Sequence, residues 1–120
     1  MAAKDVLGKA GEDRAVRYLI GLGYEILDRN WRCPQGELDI VAAVGGALCV
    51  IEVKTRRSAA FGHPFEAVDA RKRKRLWQLA HAWIEAHPEH SCGRRVQLDA
   101  IGIIGAVPDA GSLEHLQDLS

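Results

Sequence analysis

The sequence predicts an α/β sandwich in which helices pack around a mixed β-sheet. Three observations favour this class: a helix precedes a run of three strands, a long amphipathic helix follows them, and a fourth strand comes after that helix. The chain has 120 residues, 48% hydrophobic and 27% charged, which is typical of a globular protein. One domain commonly has about 100–150 residues, so we expect residues 1–120 to form a single domain.

The first half of the chain is predicted to form one helix and three strands. Apolar residues recur at helical spacing up to a pair of glycines, which predicts a helix over residues 5–22. Short apolar stretches separated by glycine-containing turns then predict strands. These strands cover residues 24–31, 37–44 and 47–55, and Gly45-Gly46 is the turn of the second hairpin.

The second half is predicted to form a long helix and one or two strands. Asp69 is suited to cap a helix that runs to about His87, just before Pro88. Residues 96–104 are predicted to form a fourth strand, and the tail over 113–119 to add a short edge strand. The apolar stripe of the helix consists of Leu76, Leu79, Ala80 and Trp83.

The formal net charge is zero, with 16 basic and 16 acidic side chains. A neutral total argues against a simple polycationic nucleic-acid binder. This neutral total arises because a basic region is balanced by two acidic ones. Residues 1–53 carry a net charge of −2, residues 54–75 carry +6 and residues 76–120 carry −4.

Two acidic residues and a lysine share one face of the predicted second hairpin, which reads GELDIV before its turn and VIEVKTR after it. With Gly45 and Gly46 as the turn residues, Asp39 lies directly across from Glu52. Lys54 lies two residues farther along the same face, because side chains alternate along a strand.

Like charges placed opposite each other between apolar neighbours destabilise a sheet unless something neutralises them. Carboxylate oxygens suit Mg²⁺ or Mn²⁺, so Asp39 and Glu52 are candidate metal ligands. Lys54 could contact a phosphate oxygen or position a water molecule. The alternative is a set of Asp-Lys or Glu-Lys ion pairs on a solvent-exposed hairpin face.

Glu12 is a third candidate carboxylate. It lies four residues before Val16 and seven before Leu19, so it shares the buried stripe of the first helix. Such a residue either points into a cleft or only complements the helix dipole.

Arg71–Arg75 are five consecutive basic residues at the start of the long helix. Cations there are disfavoured by the helix dipole, which is easier to understand if the segment binds an anion such as a phosphate backbone. Lys72 precedes Leu76 by four residues and can lean toward the cleft. Arg56 and Arg57 extend the patch. Trp31 is a better candidate for base stacking than Trp83, which lies on the apolar stripe. The alternative is a solvated basic face or a generic polyanion-binding patch.

Three cysteines, Cys33, Cys49 and Cys92, form no CxxC pair. Their number and spacing argue against a disulfide framework and favour the cytoplasm. No signal peptide is visible, and no apolar run approaches the ~20 residues that span a membrane.

Asp99 is unusual because it lies inside an apolar strand; it is expected to satisfy a backbone group or Lys54, or to border the cleft.

The segments GKAGEDRAVRYL, RNWRCPQGELDIV, VIEVKTR, FGHPFEAV and RKRKRL occur in this order. Together they resemble the YraN family of bacterial proteins, which is similar to archaeal Holliday junction resolvases. The resemblance implies a restriction-endonuclease-like fold with a PD-(D/E)xK site. Asp39 then matches the first acidic residue and Glu52 and Lys54 the ExK element, although Leu38 replaces the proline. Glu12 matches the first-helix glutamate of resolvase-like proteins.

The sequence thus predicts a metal-dependent endonuclease that acts on DNA, with branched or structured DNA and a homodimer implied by the resemblance alone. Asp39 and Glu52, with Glu12, would hold Mg²⁺ or Mn²⁺, and Lys54 would assist catalysis. Two alternatives stay open: a non-catalytic nucleic-acid-binding module of the same fold, and an interaction protein whose charges dock a partner. The predicted phosphate contacts are Arg56, Arg57, Arg71, Lys72, Lys74 and Arg75.

Overall fold

The computed structural model describes residues 3–119, with side chains at all of these positions except 3–5, 61 and 91. The α-helices and strands follow the predicted order α-β-β-β-α-β, with one short α-helix and the expected edge strand added. They are α1 (Ala3–Gly21), β1 (Glu25–Cys33), β2 (Gly36–Val44), β3 (Ala47–Arg56), α2 (Ala70–Ala86), α3 (Pro88–Ser91), β4 (Arg95–Ile104) and β5 (Ser112–Leu116).

The five strands form one mixed sheet in the order β1-β2-β3-β4-β5. β3 and β4 are parallel, whereas the other neighbouring pairs are antiparallel. A parallel pair needs a long crossover connection, and α2 lies in the connection between β3 and β4. The predicted mixed sheet and α/β sandwich are therefore confirmed.

The two long helices cover opposite faces of the sheet. The predicted stripe of α2 is buried and packs with alternate residues of β3, such as Leu48 and Val50. On the other face, Ala15 and Leu19 of α1 pack in a second core with β3 residues that include Ile51. Since Glu52 follows Ile51, its side chain belongs on the α2 face.

The start of α2 is fixed by Asp69, whose carboxylate accepts the Lys72 N–H at 3.0 Å. This N-cap bond satisfies a free donor of the first turn and confirms the role predicted for Asp69. The helix ends at Ala86. Pro88 follows this end, as expected, and occupies the first turn of the short helix α3, where its fixed φ is favourable.

Helix α1 approaches the end of β3 closely at Gly11. A methyl group at this position would overlap the hydroxyl group of Thr55. Thr55 Oγ1 is itself buried without a hydrogen-bond partner. Because Gly11 has no side chain, α1 can lie this close to β3, the strand that carries Glu52 and Lys54.

None of the described helices combines the length and the apolar character that a membrane span requires.

Candidate active site

The site begins where β2 and β3 stop pairing. Their backbone pairs run from Val44–Ala47 to Ile40–Ile51, the register predicted from the Gly45-Gly46 turn. The next residues in this register are Asp39 and Glu52. Here a side-chain hydrogen bond takes the place of backbone pairing: Asp39 Oδ2 accepts the Val53 N–H at 2.9 Å.

Strand β1 has an irregular backbone at Asn30, the residue opposite Asp39. The pairs Arg29–Ile40 and Trp31–Leu38 place Asn30 opposite Asp39 in the β1–β2 register. Asn30 has a left-handed backbone with φ of 53°, a conformation that asparagine tolerates better than most residues. This feature could not be predicted, because a single asparagine inside a strand is no signal for a positive φ.

Asp39 and Glu52 interact electrostatically, and we call them the acidic pair. Burial raises the pKa of Asp39, the negative charge of Glu52 raises it further, and together they bring it to about 7. The Val53 N–H and the charge of Lys54 oppose this shift without cancelling it. A carboxyl group with a pKa near neutrality beside a second carboxylate is typical of functional sites.

Glu52 is 3% exposed and is neutralised by two lysines on different elements. Lys54 Nζ of the same strand lies 3.3 Å from Glu52 Oε1, and Lys72 Nζ of α2 lies 3.5 Å from the same oxygen. The burial of Glu52 excludes the alternative in which it forms an ion pair on an exposed hairpin face. The predicted lean of Lys72 toward the cleft is confirmed.

Glu12 lies near the acidic pair on the α1 side, and its charge contributes to the raised pKa of Asp39. Its Oε1 atom accepts hydrogen bonds from Arg29 Nε at 3.3 Å and Arg29 Nη2 at 3.1 Å. The same guanidinium binds Asp13 at 2.7 Å. Sequence reasoning missed Arg29, because its partners are 16 and 17 residues away and no local pattern relates them.

The donor set of the acidic pair fits a divalent cation, since both residues offer hard carboxylate oxygens. Among the side chains that the structure describes, no three from His, Cys, Asp or Glu converge into one ligand group. Glu12, paired with Arg29, stands beside the acidic pair. Its role as a third ligand stays a prediction.

The cations proposed as phosphate contacts lie on two parts of the chain. Arg71, Lys74 and Arg75 are exposed at the start of α2, whereas Arg56 is half-buried at the end of β3 and Arg57 is exposed beside Leu7 and Ala10 of α1. We call these five residues the basic face. Arg73 belongs to the run expected to bind phosphate, but its guanidinium turns back and donates to the Val68 carbonyl oxygen at 2.9 Å. The five-residue run therefore presents three of its cations outward, while Lys72 turns to Glu52 and Arg73 to the backbone.

Asp99 is fully buried and serves the packing of the edge strand. It accepts hydrogen bonds from His115 Nε2 at 2.8 Å, Gln97 Nε2 at 2.9 Å and the Asp118 N–H at 3.0 Å. Burial alone would raise the pKa of Asp99, but these hydrogen bonds hold it below its usual value. Of the roles expected for Asp99, satisfying a backbone group is the one observed.

Trp31 is half-buried and packs against the α2-side core, in an edge-to-face contact with His87. Stacking of a base on Trp31 stays a prediction.

Comparison with known proteins decides the family. Residues 11–103 match the model of the family described as "Uncharacterised protein family UPF0102". The chain belongs to the UPF0102 family. This is the YraN family that the sequence motifs resemble, and the matched range contains Glu12, the acidic pair, Lys54 and the basic face.

Several UPF0102 proteins are similar to the chain over nearly its whole length. One from Paenarthrobacter aurescens is 49% identical over 117 residues, covering 98% of this chain and 95% of the relative. One from an Arthrobacter species is 48% identical over 117 residues, covering 98% of both chains. One from Frankia casuarinae is 52% identical over 91 residues, covering 76% of this chain and 77% of the relative.

Proposed function

We propose that this UPF0102 protein is a metal-dependent endonuclease that hydrolyses phosphodiester bonds in DNA. The observation that carries the proposal is the acidic pair, whose two carboxylates interact in a largely buried site with Lys54 in contact with one of them. Such an arrangement costs stability in a protein of 120 residues, and a catalytic role explains why it is present.

Asp39 and Glu52 are the residues that would hold Mg²⁺ or Mn²⁺. When bound, the cation would lower the pKa of a coordinated water and neutralise charge on the scissile phosphate. Asp39 must lose its proton to act as a ligand. Its hydrogen bond from the Val53 N–H fixes the direction of the carboxylate, so that one oxygen is positioned by the backbone.

Lys54 is the residue proposed to act on the reacting phosphate. Its side chain is 32% exposed, so the ammonium group lies between the buried Glu52 and solvent. From that position it can donate to a phosphate oxygen as negative charge develops, or orient the attacking water.

The basic face is proposed to hold flanking phosphates. Arg71, Lys74 and Arg75 lie on the helix whose Lys72 reaches the acidic pair, and so connect phosphate binding to the site within a few residues. Electrostatic contacts of this kind position a nucleic acid without reading its sequence. A preference for branched DNA, and a homodimer that would cut two strands, rest on the resemblance to junction resolvases.

The cytoplasm is the proposed location. The three cysteines are free thiols, with Cys49 buried, Cys33 half-buried and Cys92 exposed, as expected for a reducing compartment.

The test is an incubation of the protein with linear, nicked and four-way-junction DNA in Mg²⁺, Mn²⁺ or EDTA. We expect cleavage that requires a divalent cation and is lost in Asp39→Asn, which keeps the size of the side chain and its acceptor for the Val53 N–H. Cleavage that persists in this variant would assign the activity to another site or to a contaminant. DNA binding with no cleavage in either metal, unaffected by Asp39→Asn, would instead identify a non-catalytic nucleic-acid-binding module.

A further inference from the structure

Lys72 is the one residue of the basic run that contacts the acidic pair. Its ammonium lies 3.5 Å from Glu52 Oε1, although the same oxygen already has Lys54 at 3.3 Å. Glu52 carries a single negative charge, and two ammonium groups beside one oxygen repel each other. The second ammonium therefore exceeds what Glu52 alone requires and is balanced only when Asp39 is also ionised.

The position of Lys72 on α2 determines which way it can move. Its side chain is 30% exposed, whereas Glu52 is nearly fully buried, so the ammonium lies at the border between site and solvent. Arg71, Lys74 and Arg75 beside it are exposed. A phosphate held by these neighbours would lie within reach of the long, flexible lysine side chain.

The charge balance of the site favours such a movement. Two carboxylates and two lysines give a neutral site at a pH where Asp39 is ionised. A divalent cation would bring an excess of two positive charges while both ammonium groups stay at Glu52. If one ammonium moves to a phosphate, the excess falls and a Glu52 oxygen becomes free for the cation. Lys54 is assigned to the reacting phosphate, whereas Lys72 lies on the helix that carries the exposed Arg71, Lys74 and Arg75, so Lys72 is the side chain expected to move to a flanking phosphate.

We propose that Lys72 couples the two binding events: it occupies the Glu52 carboxylate in the free protein and transfers to a phosphate when nucleic acid is bound. Lys72 is thus a positioning residue that disfavours cation binding until a nucleic acid is present. This inference rests on the proposed function for the identity of both ligands. Because coupling is reciprocal, the cation must also strengthen binding of the nucleic acid.

The test is calorimetric titration of the protein with Mn²⁺ in the absence of nucleic acid. We expect Lys72→Met to bind Mn²⁺ at least about tenfold more tightly than the unsubstituted protein, because a competing positive charge is removed. Lys72→Arg, which keeps the charge, should restore the weaker affinity. Lys74→Met removes an exposed lysine from the same helix and should change the Mn²⁺ affinity by less than about twofold.

A second measurement uses the anisotropy of a labelled DNA duplex in EDTA and in Ca²⁺, a cation with the same preference for oxygen ligands. The unsubstituted protein should bind the duplex more tightly in Ca²⁺, and Lys72→Met should lose most of that gain. Unfolding midpoints verify that each variant is folded, and Lys72→Gln is a second neutral variant if Lys72→Met is not.

The outcomes separate the two proposals. Equal Mn²⁺ affinity in Lys72→Met and the unsubstituted protein, or the same gain in Lys74→Met, would overturn the role of Lys72 and leave the endonuclease proposal standing. Tighter Mn²⁺ binding in Lys72→Met, with no DNA cleavage by the unsubstituted protein, would support the role of Lys72 and overturn the endonuclease proposal. Absence of Mn²⁺ binding, or binding unchanged by Asp39→Asn, would show that the acidic pair is no metal site and would overturn both.

Discussion

Asp39 accepts the backbone N–H of Val53 at 2.9 Å, just beyond the last backbone pair of β2 and β3. A carboxylate thus takes the place of a strand carbonyl as the acceptor where the pairing of the two strands ends, next to Glu52. Because Asp39 is held beside a second carboxylate in a largely buried position, its ionisation is coupled to the stability of the fold.

The first prediction concerns pH and stability in EDTA. The pKa of Asp39 is raised from its usual 3.8 to about 7, so the folded protein holds a proton that the unfolded chain releases. The stability due to this group is therefore present below about pH 4 and lost as pH rises toward 7. Asp39→Asn should remove this dependence and raise the free energy of unfolding at pH 8 by up to about 4 kcal/mol.

Urea unfolding of both proteins between pH 4 and pH 8 measures this difference. Asparagine still offers an oxygen to the Val53 N–H, so the comparison isolates the charge. Parallel stability profiles for the two proteins would show that Asp39 titrates normally.

The second prediction concerns Lys54. In Lys54→Met the ammonium beside Glu52 is lost, while the basic face is unchanged. We expect DNA cleavage to slow by about 10²–10³-fold, with DNA affinity reduced by less than about threefold, since one phosphate contact at most is removed. Single-turnover cleavage and binding isotherms separate the two effects. A parallel loss of binding and cleavage would instead assign Lys54 to phosphate binding.

The acidic pair could be predicted from the sequence because it depends on local rules. Alternation along a strand and a two-residue glycine turn determine that Asp39 and Glu52 are opposed, and the observed register agrees with both. The same holds for α2, where Asp69 and the apolar stripe mark the start and the buried face.

The neighbours of the acidic pair could not be predicted in the same way. Arg29 reaches Glu12 across 17 residues, and His115 reaches Asp99 across 16. Such contacts depend on how α1 and β5 are placed on the sheet, which no pattern within a single element specifies. Lys72 is intermediate: helical spacing predicted its direction, but only the packing of α2 against β3 gives it Glu52 as a partner.

The third prediction concerns the salt dependence of DNA binding. Arg71, Lys74 and Arg75 are exposed, so replacing any one by glutamine should reduce the slope of log affinity against log salt by about 1. Arg73 is the matched control, because its guanidinium is bonded to the Val68 carbonyl oxygen. Arg73→Gln should leave the slope unchanged and lower the stability by about 1 kcal/mol. Equal slopes for all four variants would place the DNA elsewhere.

The last prediction concerns the spacing between α1 and β3. Gly11→Ala places a methyl group against the side chain of Thr55, so this side chain, the helix or the strand must shift. We expect a loss of about 1–3 kcal/mol in the free energy of unfolding. Gly8, in the same helix, has open space around it, so Gly8→Ala should stabilise the protein by about 0.5–1 kcal/mol. Because Thr55 directly follows Lys54, Gly11→Ala should also slow cleavage, whereas Gly8→Ala should not. Denaturant unfolding and cleavage assays of both variants measure this contrast, and similar behaviour of the two would show that helix propensity, not contact with Thr55, determines the effect.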